Sequence, residues 1–211
     1  IIMDEVGKYE VIYTANDAEG NESKAIRVVE IIDNVSPILS LIGPSPMNVE
    51  VNTKFNDPGA NVYDNADGEF IIEGTSFYRL VEDEKGIKQR EEIDRIDTSI
   101  IGEYIVRYDY TDASLNPGRG VERTVYVDDT TKPVIKLNGL NPYVIRYAYP
   151  NVNYEEPGAV ATDNYDEFVE VVITGEVRSE LGTYYITYNA VDSRGNVANT
   201  VIREVVVVDL D

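Results

Sequence analysis

Apolar residues take every second position in short runs along this chain. Tyr9, Val11 and Tyr13 do so in one run, Tyr104, Val106 and Tyr108 in another, and Val201, Arg203, Val205 and Val207 continue the pattern later. A period of two over short stretches is the mark of half-buried strands. Val, Ile, Thr and Tyr dominate the runs, as strands prefer. Turn-forming clusters punctuate them: Asp17-Ala18-Glu19-Gly20-Asn21, Pro58-Gly59, Pro157-Gly158 and Asp192-Ser193-Arg194-Gly195-Asn196. Helical periodicity is almost absent. Many short strands with regular turns predict an all-β antiparallel sandwich.

The runs also recur. Gly7-Lys8-Tyr9-Glu10-Val11-Ile12-Tyr13 returns as Gly102-Glu103-Tyr104-Ile105-Val106-Arg107-Tyr108 and again as Gly182-Thr183-Tyr184-Tyr185-Ile186-Thr187-Tyr188. The Asp after each copy (Asp17, Asp112, Asp192) keeps the same spacings, 95 and then 80 residues (112−17, 192−112). Such recurrence predicts tandem small domains strung in an extended array rather than one enzyme core. A second series sets the borders. Arg27, Arg123 and Arg203 each stand six residues before Asp33, Asp129 and Asp209, and Pro37 and Pro133 follow the first two of these by four. Read as linkers, these give residues 1–33 as the closing hairpin of a truncated module, 34–129 as a complete module, and 130–211 as another with the start of the next linker. A lone hairpin is marginal in water, so the chain is expected to be a segment of a longer array; the alternative is a hairpin completed by another chain. From Gly74 to Gly102 is 28 residues, but from Gly175 to Gly182 only 7 (102−74, 182−175). The surplus predicts an extended hairpin near 75–95 with its turn at Lys85-Gly86. It reads as an enlarged charged edge that blocks aggregation, or as a contact surface peculiar to that module.

Composition narrows the function. Of 211 residues, 39 are acidic and 18 basic, a formal charge of −21. That argues against nucleic acid, which needs clustered Lys and Arg, and against anionic membranes. No run of apolar residues is long enough to span a bilayer. The chain has no Cys and no His. Disulfides, thiolate zinc sites, and Ser/His/Asp or Cys/His catalysis are therefore excluded. Carboxylate pairs such as Glu91-Glu92 and Glu155-Glu156 exist, but no acid–base constellation assembles around them, and the chain is not expected to be an enzyme. The partners left are neighbouring modules of the same protein, other copies, or surface glycans. Among the 16 tyrosines, Tyr9, Tyr104 and Tyr184 recur at one position, which predicts core packing like the tyrosine corner of sandwich folds. Tyr143, Tyr147, Tyr149 and Tyr154 could line a sugar-binding face or pack an edge strand.

Several linked motifs resemble a known family. They are Pro-x-Ile/Val-x-Leu (from Pro37 and Pro133), an acid-Pro-Gly-Ala element (Asp57-Pro58-Gly59-Ala60, Glu156-Pro157-Gly158-Ala159) with Asp64-Asn65 or Asp163-Asn164 downstream, and the Gly-x-Tyr strand closing in Gly20-Asn21 or Gly195-Asn196. The middle copy departs, reading Leu115-Asn116-Pro117. The pattern is similar to the bacterial immunoglobulin-like repeat typified by the immunoglobulin-like domain of pesticidal crystal proteins, and its closing half to hyalin-type repeats. The resemblance implies tandem immunoglobulin-like antiparallel β-sandwich modules. It also implies an extracellular place, at a cell surface or secreted, as a stalk, adhesin or S-layer-like lattice subunit. An accessory carbohydrate- or partner-binding module of a secreted enzyme or toxin is the alternative. It carries over no catalytic residue.

The acidic turns raise one further expectation. Counting alternate strand directions brings Asp128, Asp129, Asp163, Asp166 and Asp192 to one end of a module, and Asp33, Asn34, Asp64, Asp67 and Asp112 to the matching end of the preceding one. Carboxylate and amide oxygens at that density are what calcium takes. The plainer reading is solvated Asp and Asn used because they turn and cap well.

Overall fold

The computed structural model describes residues 5–147 and 152–209. Among them there are strands and turns and no helix. Tyr149 of the tyrosine group lies outside the described residues. Sixteen strands follow one another: β1 (Gly7–Asn16), β2 (Glu22–Ile31), β3 (Ile38–Leu41), β4 (Met47–Glu50), β5 (Ala60–Asp64), β6 (Gly68–Ile72), β7 (Ser76–Glu82), β8 (Lys88–Ile93), β9 (Gly102–Tyr108), β10 (Val121–Asp128), β11 (Val134–Leu137), β12 (Tyr143–Arg146), β13 (Ala159–Thr162), β14 (Val171–Thr174), β15 (Gly182–Ala190) and β16 (Val201–Val208). The fold is an immunoglobulin-like arrangement of sandwiched sheets. Two compact units form: residues 1–47, 55–96 and 102–126 in the first, and 48–54, 97–101 and 127–211 in the second.

In the first unit β1 and β2 pair as a hairpin, Gly7 opposite Ile31 through Asn16 opposite Glu22. A three-stranded sheet runs β3-β5-β6; a five-stranded sheet runs β4-β10-β9-β7-β8, of which residues 48–50 of β4 and 127–128 of β10 belong to the second unit. Period two now has a physical meaning. Tyr104, Val106 and Tyr108 of β9 are at most 1% exposed, as are Val62 on β5 and Val125 on β10. The β7–β8 pair closes on a turn at Asp83–Ile87, where Asp83 Oδ1 accepts from the Lys85 and Ile87 amides. The residues of β8 from Lys88 to Glu92 are all exposed.

In the second unit β11 pairs β13, and a four-stranded sheet runs β12-β16-β15-β14. Ile135, Ile145, Ala161, Val169, Ile186, Tyr188, Ala190, Ala198 and Val205 form its core. Tyr184 packs against this core half-buried, its hydroxyl donating to the Glu180 carbonyl, as Tyr9 does to Glu5. So Tyr104 and Tyr184 face inward, Tyr104 fully covered, while Tyr9 on the β1–β2 hairpin is half-buried. Tyr143 and Tyr154 meet edge-to-face at 5.5 Å and pack against the same core.

One turn is built three times. Asp17, Asp112 and Asp192 each donate a backbone N–H to the carbonyl of the Asn four residues on, at 3.1, 3.1 and 3.2 Å. The Asp side chain accepts the Asn amide in return. The fourth residue takes a left-handed conformation, with φ of 86° at Gly20 and 90° at Gly195. Leu115 holds that place in the middle copy at φ 71°, with its side chain 82% exposed. A Cβ is strained there, and nothing packs over the isobutyl group to compensate. Leu115→Gly is therefore expected to stabilise the first unit by about 1 kcal/mol. Gly195→Leu should cost the second a similar amount. Urea unfolding midpoints of the two variants against the parent chain check both signs.

Candidate functional site

The most heavily built polar sites are two buried arginines. Arg123 on β10 and Arg203 on β16 stand at the inward parity of their strands and are 0% exposed. Arg203 Nε donates to the Tyr188 hydroxyl at 2.7 Å, and its other nitrogens to the carbonyls of Leu140, Asn138 and Gly158. Arg123 repeats this with the Tyr108 hydroxyl at 3.1 Å and the carbonyls of Pro44, Ile42 and Gly59. Each guanidinium also lies over its tyrosine ring, 5.8 Å from the centroid for Arg123 and 5.7 Å for Arg203. Exposed Arg27 takes the same position over Tyr13 at 5.6 Å.

The balancing charge comes from the acid-Pro-Gly-Ala element. Asp57 Oδ1 accepts from Tyr108 at 2.5 Å and from the Gly59 amide at 3.0 Å, with Arg123 Nε 4.0 Å away. Glu156 Oε1 accepts from Tyr188 and from the Gly158 amide at 2.5 and 2.7 Å, with Arg203 Nε at 3.4 Å. Glycine is required at Gly59, where φ is +82° and a Cβ would stand 2.6 Å from the Ile72 carbonyl oxygen. Burial, with Asp57 beside it, pushes the Tyr108 phenol up to about 12. Burial and a carboxylate neighbour likewise raise Tyr154, and Tyr188 is raised by burial with Glu156 adding. Burial alone would raise the Glu156 carboxyl. The hydrogen bonds from Tyr154, Tyr188 and the Gly158 amide, with Arg203 beside them, outweigh it and hold the group below its usual range. These groups are fully partnered and offer no open position to a substrate.

The acidic turns form the second kind of site. In the first unit Asp33, after β2, Asp64, at the end of β5, and Asp112, after β9, bring carboxylate oxygens within 4.8 Å of one another. In the second unit Asp129, Asp163 and Asp192 do the same after β10, β13 and β15. Asp64 and Asp129 are 3% exposed and Asp192 8%. One oxygen of each serves its turn. Asp64 Oδ1 accepts from the Ala66 and Asp67 amides, Asp163 Oδ1 from Tyr165 and Asp166, and Asp192 Oδ1 from Arg194 and Asn196. Asp129 Oδ1 accepts from the Thr131 amide, and Asp33 Oδ1 from Val35 and the Asn65 side chain. The second oxygens of Asp33, Asp64, Asp129, Asp163 and Asp192 are buried without a hydrogen-bond partner. Asp112 alone has both oxygens taken, by the amide and side chain of Asn116.

Two like charges at such separation repel by on the order of 3 kcal/mol at an effective dielectric of about 20. Among the described residues no Lys or Arg pairs with any of the six carboxylates. Burial, followed by the charges of Asp163 and Asp192, raises the Asp129 carboxyl above its usual range. Asp112 is lowered: burial acts upward, but the Asn116 and Ser114 hydrogen bonds outweigh it.

The other four residues singled out in the turns stand apart from the triads. Asp67 Oδ2 accepts from the Tyr110 hydroxyl and the Ala113 amide. Asp166 accepts from the Ser193 amide and hydroxyl. Asp128 Oδ1 accepts from Arg194 at 2.8 Å. Asn34 is exposed. Sequence reasoning missed the arginine cluster, although its signal was present: an Arg at an inward position of both closing strands, with the acid and the last Tyr of Gly-x-Tyr-x-x-x-Tyr repeated beside it.

Residues 135–207 match the family model of the bacterial surface protein Ig-like domain. The chain is also similar to an uncharacterized 81.3 kDa protein of Acholeplasma phage L2, at 25% identity over 92% of this chain and 25% of that protein. It is similar to hyalin of Strongylocentrotus purpuratus as well, at 28% identity over 92% of this chain and 16% of hyalin. The chain thus spans a quarter or less of the length of these relatives. What the comparisons support is the coarser resemblance, to a bacterial immunoglobulin-like domain with a hyalin likeness beside it.

The arginine cluster predicts an alkaline weakness. The folded Tyr108 titrates near 12 and an unfolded tyrosine near 10. A raised folded value gives stability that is complete below the unfolded value and lost as pH rises through the folded one. Between pH about 10 and about 12, stability should fall by up to about 1.4 kcal/mol per pH unit from this group. Tyr108→Phe should remove that slope and cost about 1–3 kcal/mol at neutral pH, because Arg123 and Asp57 each lose a partner. Denaturant melts at stepped pH, read beside phenolate absorbance, measure both.

Proposed function

We propose that this chain is a non-catalytic structural segment of an acidic, multi-domain cell-surface or secreted protein. It would be part of a stalk, adhesin or surface-lattice subunit, serving spacing and assembly. The observation that carries this reading is the direction of two strands. β12 pairs β16 in parallel, Tyr143 opposite Val205 through Arg146 opposite Val208, and the Tyr147 amide extends the ladder to the Val208 carbonyl at 2.9 Å. Strand β12 follows β11 early in the module, and because it runs parallel to the last strand the chain passes from one pole at the start of β12 to the other at the end of β16. That geometry suits modules strung in tandem. The ladder also lies along the line between the ends, so tension loads several hydrogen bonds together.

Other observations agree. Glu156 is consumed by Tyr154, Tyr188 and Arg203, and Glu91 and Glu92 lie on the exposed β8. No nucleophile with its base is assembled among the described residues. A charge of −21 keeps a long array soluble and its copies apart. The matched family model describes a surface-protein domain, which supports a cell-surface or extracellular place for this chain too. Its partners would be neighbouring modules, other copies or surface glycans.

Single-molecule force spectroscopy tests the reading. Pulling residues 130–209 from their two ends should shear the β12–β16 ladder. Pulling between cysteines at Val144 on β12 and Val172 on β14, exposed positions on opposite edges of the sheet, should unzip strands singly. The end-to-end rupture force is expected to be several-fold the higher. Equal forces would remove the support for a spacer.

A further inference from the structure

We propose that the two aspartate triads, Asp33-Asp64-Asp112 and Asp129-Asp163-Asp192, are calcium-binding sites, one in each unit. Clustered acids alone would not carry this, since exposed acidic turns are common. What carries it is the division of labour within each carboxylate. Oδ1 is spent on turn amides, while Oδ2 of Asp33, Asp64, Asp129, Asp163 and Asp192 is buried with no donor. A buried carboxylate oxygen ordinarily finds a hydrogen bond. Here five fail to, and all five belong to residues of the two triads. Asp64, Asp129 and Asp192 are more than nine-tenths buried, so bulk water is a poor substitute.

The chemistry of the donors selects the ion. All are hard carboxylate oxygens, and the chain holds no Cys or His to recruit zinc or copper. The ligand oxygens within a triad lie within 4.8 Å of one another, close enough to share one ion. Calcium accepts such a set at about 2.3–2.6 Å in flexible geometry, whereas magnesium demands near-ideal octahedral geometry and keeps more of its water. Three carboxylates leave further positions for water or backbone carbonyls, which calcium's six to eight ligands accommodate. The donors come from three segments in each case, so one ion would tie the segment at Asp33 or Asp129 to two turns of its unit. The Asn116 side-chain amide on the Asp33 carbonyl, and Asn196 on that of Asp129, already hold those segments at 3.3 and 3.1 Å. This inference concerns ion binding and does not rest on the spacer reading.

The test uses the whole chain stripped with chelator. Titration calorimetry with calcium chloride should give two ions per chain, with midpoints between about 10⁻⁵ and 10⁻³ M. Melting temperature should rise on the order of 5 °C at saturating calcium, beyond the effect of sodium chloride at equal ionic strength. Asp64→Asn and Asp192→Asn each keep an Oδ1 for the turn amides while removing one charge. Each should lower the stoichiometry by one, and together they should abolish it. Their metal-free melting should be equal to or above that of the parent, because repulsion is relieved. No binding heat, a calcium response that survives the double substitution, an equal response to magnesium, or lower metal-free melting of both variants would each overturn the assignment.

Discussion

Everything in each sandwich is arranged around one buried guanidinium. A full positive charge at 0% exposure costs several kcal/mol to desolvate unless its donors are met. Arg203 meets them with three carbonyls, a phenol and a nearby carboxylate. The planar fork leaves little freedom in where those acceptors stand. The carbonyls of Asn138 and Leu140 must converge on it, which fixes how the chain passes from β11 to β12. The Gly158 carbonyl must reach it, which fixes the Pro-Gly turn. Arg123 imposes the same on Ile42, Pro44 and Gly59. The scattered motifs of the repeat (acid-Pro-Gly-Ala, the second tyrosine of Gly-x-Tyr-x-x-x-Tyr, the arginine of the closing strand) are thus parts of one cluster.

The acidic turns reverse this logic. Arg203 sits in a cage of acceptors and has its charge answered from within the chain. The triads gather negative charge and answer it with turn amides and two asparagine side chains, with no Lys or Arg among the described residues paired with them. A fold that satisfies one buried ion so thoroughly twice, and leaves another kind bare twice at matching places, treats the two differently in a consistent way.

Much of this was legible in the sequence because the signals are local. Alternation places Val106 and Ile186 inside, since side-chain period follows from strand geometry alone. The Asp-x-x-x-Asn turns announce themselves through Asp17, Asp112 and Asp192, two of them with Gly before the Asn. Counting strand directions was enough to bring Asp33, Asp64 and Asp112 to one end. It could not say that Asp67 would turn to Tyr110, or Asp166 to Ser193, because which oxygen points where depends on turn conformation. The arginine cluster was hidden for another reason. Arg203 and Glu156 are 47 residues apart (203−156), and only the register of β15 on β16, Tyr184 opposite Val205, brings Tyr188 between them.

The β7–β8 hairpin has a consequence for how such a chain folds during synthesis. Neighbouring repeats of like sequence can exchange strands before each has closed, a common failure of repeat proteins. In the first unit the sheet ends on charged β8, whereas in the second it ends on the short β14. A strand emerging from one repeat therefore meets the wrong length and the wrong charge in its neighbour. Divergence at the sheet edge lets successive copies share a core plan while remaining poor substitutes for one another.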